Sequence, residues 1–142
     1  MIMDLPYIDE HRQPTRASRE QLWSALLREL SRQMGGSARF ARLLGCDPSA
    51  VSPSFDGHPG DTVPGFRVRE AQPGYRLVLE GRHRFSRYEL TFVLDGDQLR
   101  AQTHAAFPGV LGKIYRAAVI GTGGHRVITR RLLKRITRAA RS

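Results

Sequence analysis

The sequence predicts an α+β domain in which a curved antiparallel sheet closes around a long C-terminal helix. Three observations predict it. From Phe66 to Ala105 apolar and polar residues alternate with a period of two, the pattern of half-buried strands. After Pro108-Gly109 the period becomes helical and runs, with one interruption, to about Ala140. Before the sheet, Leu22, Trp23, Leu26, Leu27 and Leu30 recur at helical spacing behind Ser18, a residue suited to cap a helix.

The first element is an edge strand within residues 7–16, where Pro14 cannot donate to a ladder. The helix from Ser18 ends at Gly35-Gly36, and a shorter one follows from Ser37 through Phe40, Leu43 and Leu44 to Gly45. Residues 46–65 are rich in Pro, Gly, Ser and Asp without a period and read as a long surface loop.

In the sheet, Phe66 and Val68 alternate with Arg67 and Arg69. Pro73-Gly74 makes a turn. Leu77, Leu79, Gly81, His83 and Phe85 then alternate with Arg76, Glu80, Arg82 and Arg84. After Ser86-Arg87 the parity resets: Tyr88, Leu90, Phe92 and Leu94 share one face, Asp95-Gly96-Asp97 closes a hairpin, and Leu99, Ala101, Thr103 and Ala105 continue that face. The C-terminal helix spans about 110–141, with a kink near Gly121–Gly124. Its inward stripe is Ile128, Leu132, Leu133, Ile136 and Ala139. Gly121-Thr-Gly-Gly follows a helix, not a strand, and lacks dinucleotide or Walker spacing, so it reads as a hinge and not a phosphate loop.

With 142 residues, one domain over 1–142 is expected. The single cysteine, Cys46, excludes an internal disulfide and a thiolate zinc site. The five histidines form no i, i+4 pair, so neither a metal nor a cofactor is expected. The first residues lack the basic and apolar regions of a signal peptide, and no run reaches a membrane span, which predicts a cytoplasmic protein. The net charge of +10 is unevenly placed: residues 1–65 carry −1, residues 66–109 carry +2, and residues 110–142 carry +9 with no acid at all. Arg130, Arg131, Lys134, Arg135 and Arg138 form a strip that predicts weak contact with polyanions or anionic membranes. No group is placed to read bases, so no specific nucleic acid is expected.

The order strand, helix pair, antiparallel meander and long C-terminal helix resembles the START-like, or SRPBCC, superfamily of polyketide cyclase/dehydrase and lipid-transport proteins. Two stretches are similar to a bacterial branch of it: Tyr75-Arg-Leu-Val-Leu-Glu-Gly-Arg-His-Arg-Phe-Ser-Arg-Tyr88, and Phe107-Pro-Gly-Val-Leu-Gly-Lys-Ile-Tyr-Arg116 followed by Val119-Ile-Gly-Thr-Gly-Gly-His125. The resemblance implies the helix-grip fold and an internal cavity for a small hydrophobic or aromatic molecule or a lipid. It names no reaction, because fold does not imply function. Residues expected to line the cavity are Phe66, Val68, Leu77, Leu79, Gly81, His83, Tyr88, Leu90, Phe92, Ala101, Thr103, Ile114, Ala118, His125, Ile128 and Leu132. The small Gly81, Ala101 and Ala105 leave room for a ligand, although the same alternation also fits a filled core. The alternative is a cyclase or dehydratase in which His83, Tyr88 or His125, with Thr103 or Glu70, supplies acid–base chemistry; His104 falls on the charged face. Each of these polar residues also has a plain reading as a hydrogen-bonded core or packing residue.

Overall fold

The computed structural model describes residues 5–35, 55–83, 86–107, 109–117 and 123–141. The short helix expected from Ser37, the start of the 46–65 loop, the Gly121-Thr122 part of the kink and Ala118 lie outside the described residues, as do the side chains of His83 and His125. The chain runs β1 (Tyr7–Pro14), α1 (Arg19–Gly35), β2 (Thr62–Val63), β3 (Phe66–Gln72), β4 (Arg76–His83), β5 (Ser86–Leu94), β6 (Gln98–Ala106), α2 (Gly109–Arg116) and α3 (Gly124–Arg141). The six strands form one curved antiparallel sheet in the order β1-β6-β5-β4-β3-β2. This is an α+β, helix-grip architecture.

α1 begins as its sequence dictates. The Ser18 hydroxyl accepts from the Gln21 amide at 3.1 Å, and the Gln21 side chain accepts from the Ser18 amide at 3.0 Å. This reciprocal capping box satisfies two donors that a helix start otherwise leaves open. Arg19 then ties the helix to the sheet. Its guanidinium donates to the carbonyls of Leu94 at 2.7 Å and Gly74 at 3.3 Å, and it lies 4.4 Å from the centre of the Tyr75 ring. One face of α1, through Leu22, Ala25, Leu26 and Leu30, is buried on the concave side of the sheet.

The register explains the faces. Leu77 pairs with Phe92, Leu79 with Leu90, Gly81 with Tyr88, Phe92 with Ala101 and Leu90 with Thr103, and these residues face inward. Val68, Leu77, Leu79, Leu90, Phe92, Ala101 and Leu132 belong to one contiguous core with α1, and Phe66 packs against it. Over this part of the concave face the described side chains pack against one another as a core.

Two bulges reset the alternation. Val68 pairs with Leu79 but Glu70 pairs with Val78, so Arg69 is the extra residue on β3. Glu70, a candidate for the inner face, is therefore on the outer one, where Arg76 lies 3.6 Å from it. Arg69 also resolves a conflict. Glu80 and Glu89 stand directly opposite each other, an unfavourable pairing, and Arg69 approaches both, at 3.8 and 3.0 Å.

The long C-terminal helix packs on α1, β1 and β6. Its buried stripe is Thr129, Leu132, Leu133, Ile136, Thr137 and Ala140. This corrects the stripe expected from hydrophobicity alone: Ile128 is 66% exposed. Centring the contact on two threonines turns Ile128, one residue and about 100° away, out to solvent. The expected loop 46–65 is also more ordered than its composition suggests over its second half. Thr62–Val63 pair with β3, Val63 is fully buried, and Asp61 accepts from the amides of Asp56 and His58 at 3.0 and 3.1 Å.

Candidate functional site

The second bulge builds the most polar part of the concave face. On the edge strand β1, Tyr7 pairs with His104 while Asp9 already pairs with Thr103, so Ile8 is the extra residue. Tyr7 therefore stays on the convex side, its ring 5.6 Å from that of His104 in an edge contact. Beyond the bulge, Asp9, His11 and Gln13 face inward opposite Thr103, Ala101 and Leu99. His11 Nε2 donates to Asp9 Oδ2 at 3.1 Å, with the His11 side chain 10% exposed. Thr103 Oγ1 is buried without a hydrogen-bond partner. A helix, α3, packs over this strand and presents Thr129 and Thr137. The Thr137 hydroxyl is already committed, donating to the Lys134 carbonyl at 3.0 Å. The unpartnered Thr103 hydroxyl is therefore the group here with hydrogen-bonding capacity to spare, since buried polar atoms are ordinarily satisfied.

Towards the open end of β1 and β6 a cleft of about 620 Å³ begins one side-chain repeat beyond Thr103, at Ala105. Pro6, Ile8, Ala106, Phe107 and Ala117 supply most of its remaining apolar wall, with Tyr7 at its edge. Among the described residues, Lys113 and Arg116 of α2 are the charged residues that line it, and no carboxylate does. Phe107 organises this corner: the Tyr115 ring lies 6.3 Å away and the Arg116 guanidinium 5.9 Å from the Phe107 ring centre.

The residues singled out in the sequence are distributed differently. Tyr88 faces inward, but its hydroxyl donates to the Gly65 carbonyl at 2.6 Å and its ring meets Phe66 edge-on at 5.2 Å. Gly81 leaves no vacant space. A Cβ there would overlap the Gly65 carbonyl and the Tyr88 ring, so the glycine is what lets the β2–β3 turn cross the sheet so closely. Thr103 is inside, as its parity requires. Glu70 is on the opposite face, and Ile114 is 60% exposed on α2, which buries only Gly112. Tyr88, Thr103 and Glu70 thus do not converge on one ligand position. His104 lies on the convex side opposite Glu89, with Nδ1 unpartnered. Arg130, Arg131, Lys134, Arg135 and Arg138 are all exposed on the outer side of α3.

Sequence reasoning missed Asp9 and His11. The alternation of Asp9, His11 and Gln13 was present, but it reads as a polar edge strand with no inner face until the bulge at Ile8 and the pairing to Thr103 are known. On the convex face the same strand places Glu10, which accepts from Arg100 at 2.7 Å, Gln102 at 2.8 Å and Arg12 at 2.7 Å. The Arg100 hydrogen bond, helped by those from Gln102 and Arg12, holds the Glu10 carboxyl down at about 2. Among the described residues no three His, Cys, Asp or Glu side chains are grouped to hold a metal ion. None of the described helices is long and apolar enough to cross a membrane.

No family model matches the chain, and no curated protein matches it. Solved structures do. Protein CV1439 from Chromobacterium violaceum is 16% identical with a TM-score of 0.55, covering 93% of this chain and 96% of that one. Mll3558 from Rhizobium loti is 15% identical with a TM-score of 0.55, covering 97% and 98%. A Rhodobacter sphaeroides protein is 24% identical with a TM-score of 0.51, covering 89% and 87%. At these identities the likeness is one of fold, spanning nearly the whole length of each chain, and the reading of the site rests on the residues themselves.

Proposed function

We propose that the protein binds a small, largely apolar molecule carrying an acidic group, in the cleft between the ends of β1 and β6 and helix α2. The observation that carries this reading is the composition of the cleft wall: alanine, isoleucine, proline and aromatic surface, with Lys113 and Arg116 as its charges. Its size lies within the range of small-molecule sites. The apolar wall favours an acyl or aromatic body, and the two cations favour an anionic end, with no carboxylate beside them among the described lining residues. The buried Thr103 hydroxyl lies one side-chain repeat further along β6 and is not part of the cleft wall.

The test is titration calorimetry of the whole protein with decanoate, 1-naphthoate and decanol. Decanoate is expected to bind about tenfold more tightly than decanol. The pair Lys113→Gln and Arg116→Gln is expected to remove that difference while leaving decanol binding intact. Absence of binding by all three probes overturns the proposal.

A second reading is favoured by one observation, the Asp9–His11 pair beside an unpartnered hydroxyl. A histidine oriented by a carboxylate is a competent proton-transfer group, which suits acid–base chemistry of the cyclase or dehydratase type on a bound ligand. Turnover of an enolisable aromatic substrate that His11→Gln abolishes, with binding unchanged, would select it over simple binding.

A further inference from the structure

Helix α2 carries large apolar side chains in the wrong place for a soluble helix. Val110, Leu111 and Ile114 are 75%, 66% and 60% exposed, and the residue it buries is a glycine. At positions i, i+1 and i+4 they form one apolar side of a two-turn helix. Such a short helix has little intrinsic stability, and an apolar side turned to water adds none. The first turns of α3 repeat the feature, with Val127 51% and Ile128 66% exposed. Contiguous apolar exposure of this kind marks an interaction surface.

The charges around it decide what kind. Lys113 and Arg116 lie on α2, and Arg126, Arg130 and Arg131 surround Val127 and Ile128. Residues 110–142 hold nine cations and no acid. A two-fold contact with a second copy would press this cationic surface against itself, because an isologous interface repeats the same patch on both sides. Aliphatic side chains set among Lys and Arg match instead the boundary between lipid headgroups and acyl chains in a negatively charged bilayer. We infer that α2 forms a docking surface for an anionic lipid membrane, with Val110, Leu111 and Ile114 inserted below the headgroups and Lys113 and Arg116 beside them. The inference is independent of the ligand proposed for the cleft, although Lys113 and Arg116 would place the cleft at the bilayer surface.

The experiment is vesicle flotation of the full chain with pure phosphatidylcholine and with about 30% phosphatidylglycerol, at about 0.1 and about 0.5 M NaCl. Binding is expected to the anionic vesicles and to survive in part at the higher salt, because apolar insertion is not screened. The variant Val110→Ser/Leu111→Ser/Ile114→Ser keeps every charge. It is expected to bind about tenfold less at low salt and not at all at high salt. Should that variant fail to fold by circular dichroism, the single change Leu111→Ser, which also keeps every charge, carries the same direction of effect. Equal binding by wild type and variant, which means adhesion by charge alone, overturns the inference. So does a wild type that ignores anionic vesicles, or one that light scattering shows to be a dimer which the variant dissolves.

Discussion

His11 donates to Asp9, two residues earlier on the same strand, across 3.1 Å on the concave face of the sheet. Pairing residues at i and i+2 is natural for a strand, where both lie on one side. A histidine this buried beside a carboxylate couples the orientation of both side chains. Asp9→Asn is expected to destabilise by about 1 kcal/mol, and His11→Ala by about 2 kcal/mol because it also opens space. The double variant should cost about 1 kcal/mol less than the sum, as in any pair of directly interacting groups. Urea unfolding of the four proteins measures the cycle; strict additivity would mean that the two side chains do not interact.

The Thr103 hydroxyl is buried with no partner. Thr103→Val keeps the shape and removes that unsatisfied group, so stability should be unchanged or rise by about 1 kcal/mol. Affinity for decanoate should be unchanged, because Thr103 does not line the cleft. Thermal unfolding and calorimetry on the same samples check both expectations.

Glu10 governs the acid limb of stability on the other face. Its carboxyl is held at about 2 against an ordinary 4.5 by Arg100, Gln102 and Arg12. A group depressed on folding stabilises the native state above its unfolded pKa, and that contribution disappears as pH falls through its folded pKa. The wild type should therefore lose about 1–2 kcal/mol between the ordinary value and about 2, after allowance for solvent screening. Glu10→Gln should lack this component and show a shallower loss over the same window in pH-dependent urea unfolding. Identical slopes for the two proteins would show that the network does not stabilise the fold.

Gly81 and Tyr88 fix how closely the β2–β3 turn lies on the sheet. Tyr88→Phe loses one hydrogen bond to the Gly65 carbonyl and should cost about 1 kcal/mol. Gly81→Ala should cost more, about 2–4 kcal/mol, because the new methyl group meets backbone that cannot step aside. Chemical denaturation gives both values, and a benign Gly81→Ala would mean that the turn sits further from the sheet.

The sequence alone determined the elements whose patterns are periodic and self-contained. The helix start capped by Ser18, the hairpin at Asp95–Asp97 and the inward parity of Leu77, Leu79, Leu90, Phe92 and Thr103 follow from local chemistry and from a period of two on one face. The architecture, a sheet closed by a C-terminal helix, was legible for the same reason. Where a single inserted residue flips the faces, local reading failed. The bulge at Arg69 sent Glu70 outward, and the bulge at Ile8 turned Asp9 and His11 inward; both are properties of pairing with another strand. Helix faces behaved likewise. Hydrophobicity nominated Ile128 and Ile114 as buried, but α3 seats Thr129 and Thr137 against its neighbours and α2 buries only Gly112, because what covers a helix is decided by the shape of its neighbours. The space expected above Gly81 was likewise invisible as filled, since the Gly65 carbonyl and the Tyr88 ring that occupy it arrive from other strands. Periodicity tells which side of an element avoids water; only tertiary packing decides what meets that side, and whether any room is left.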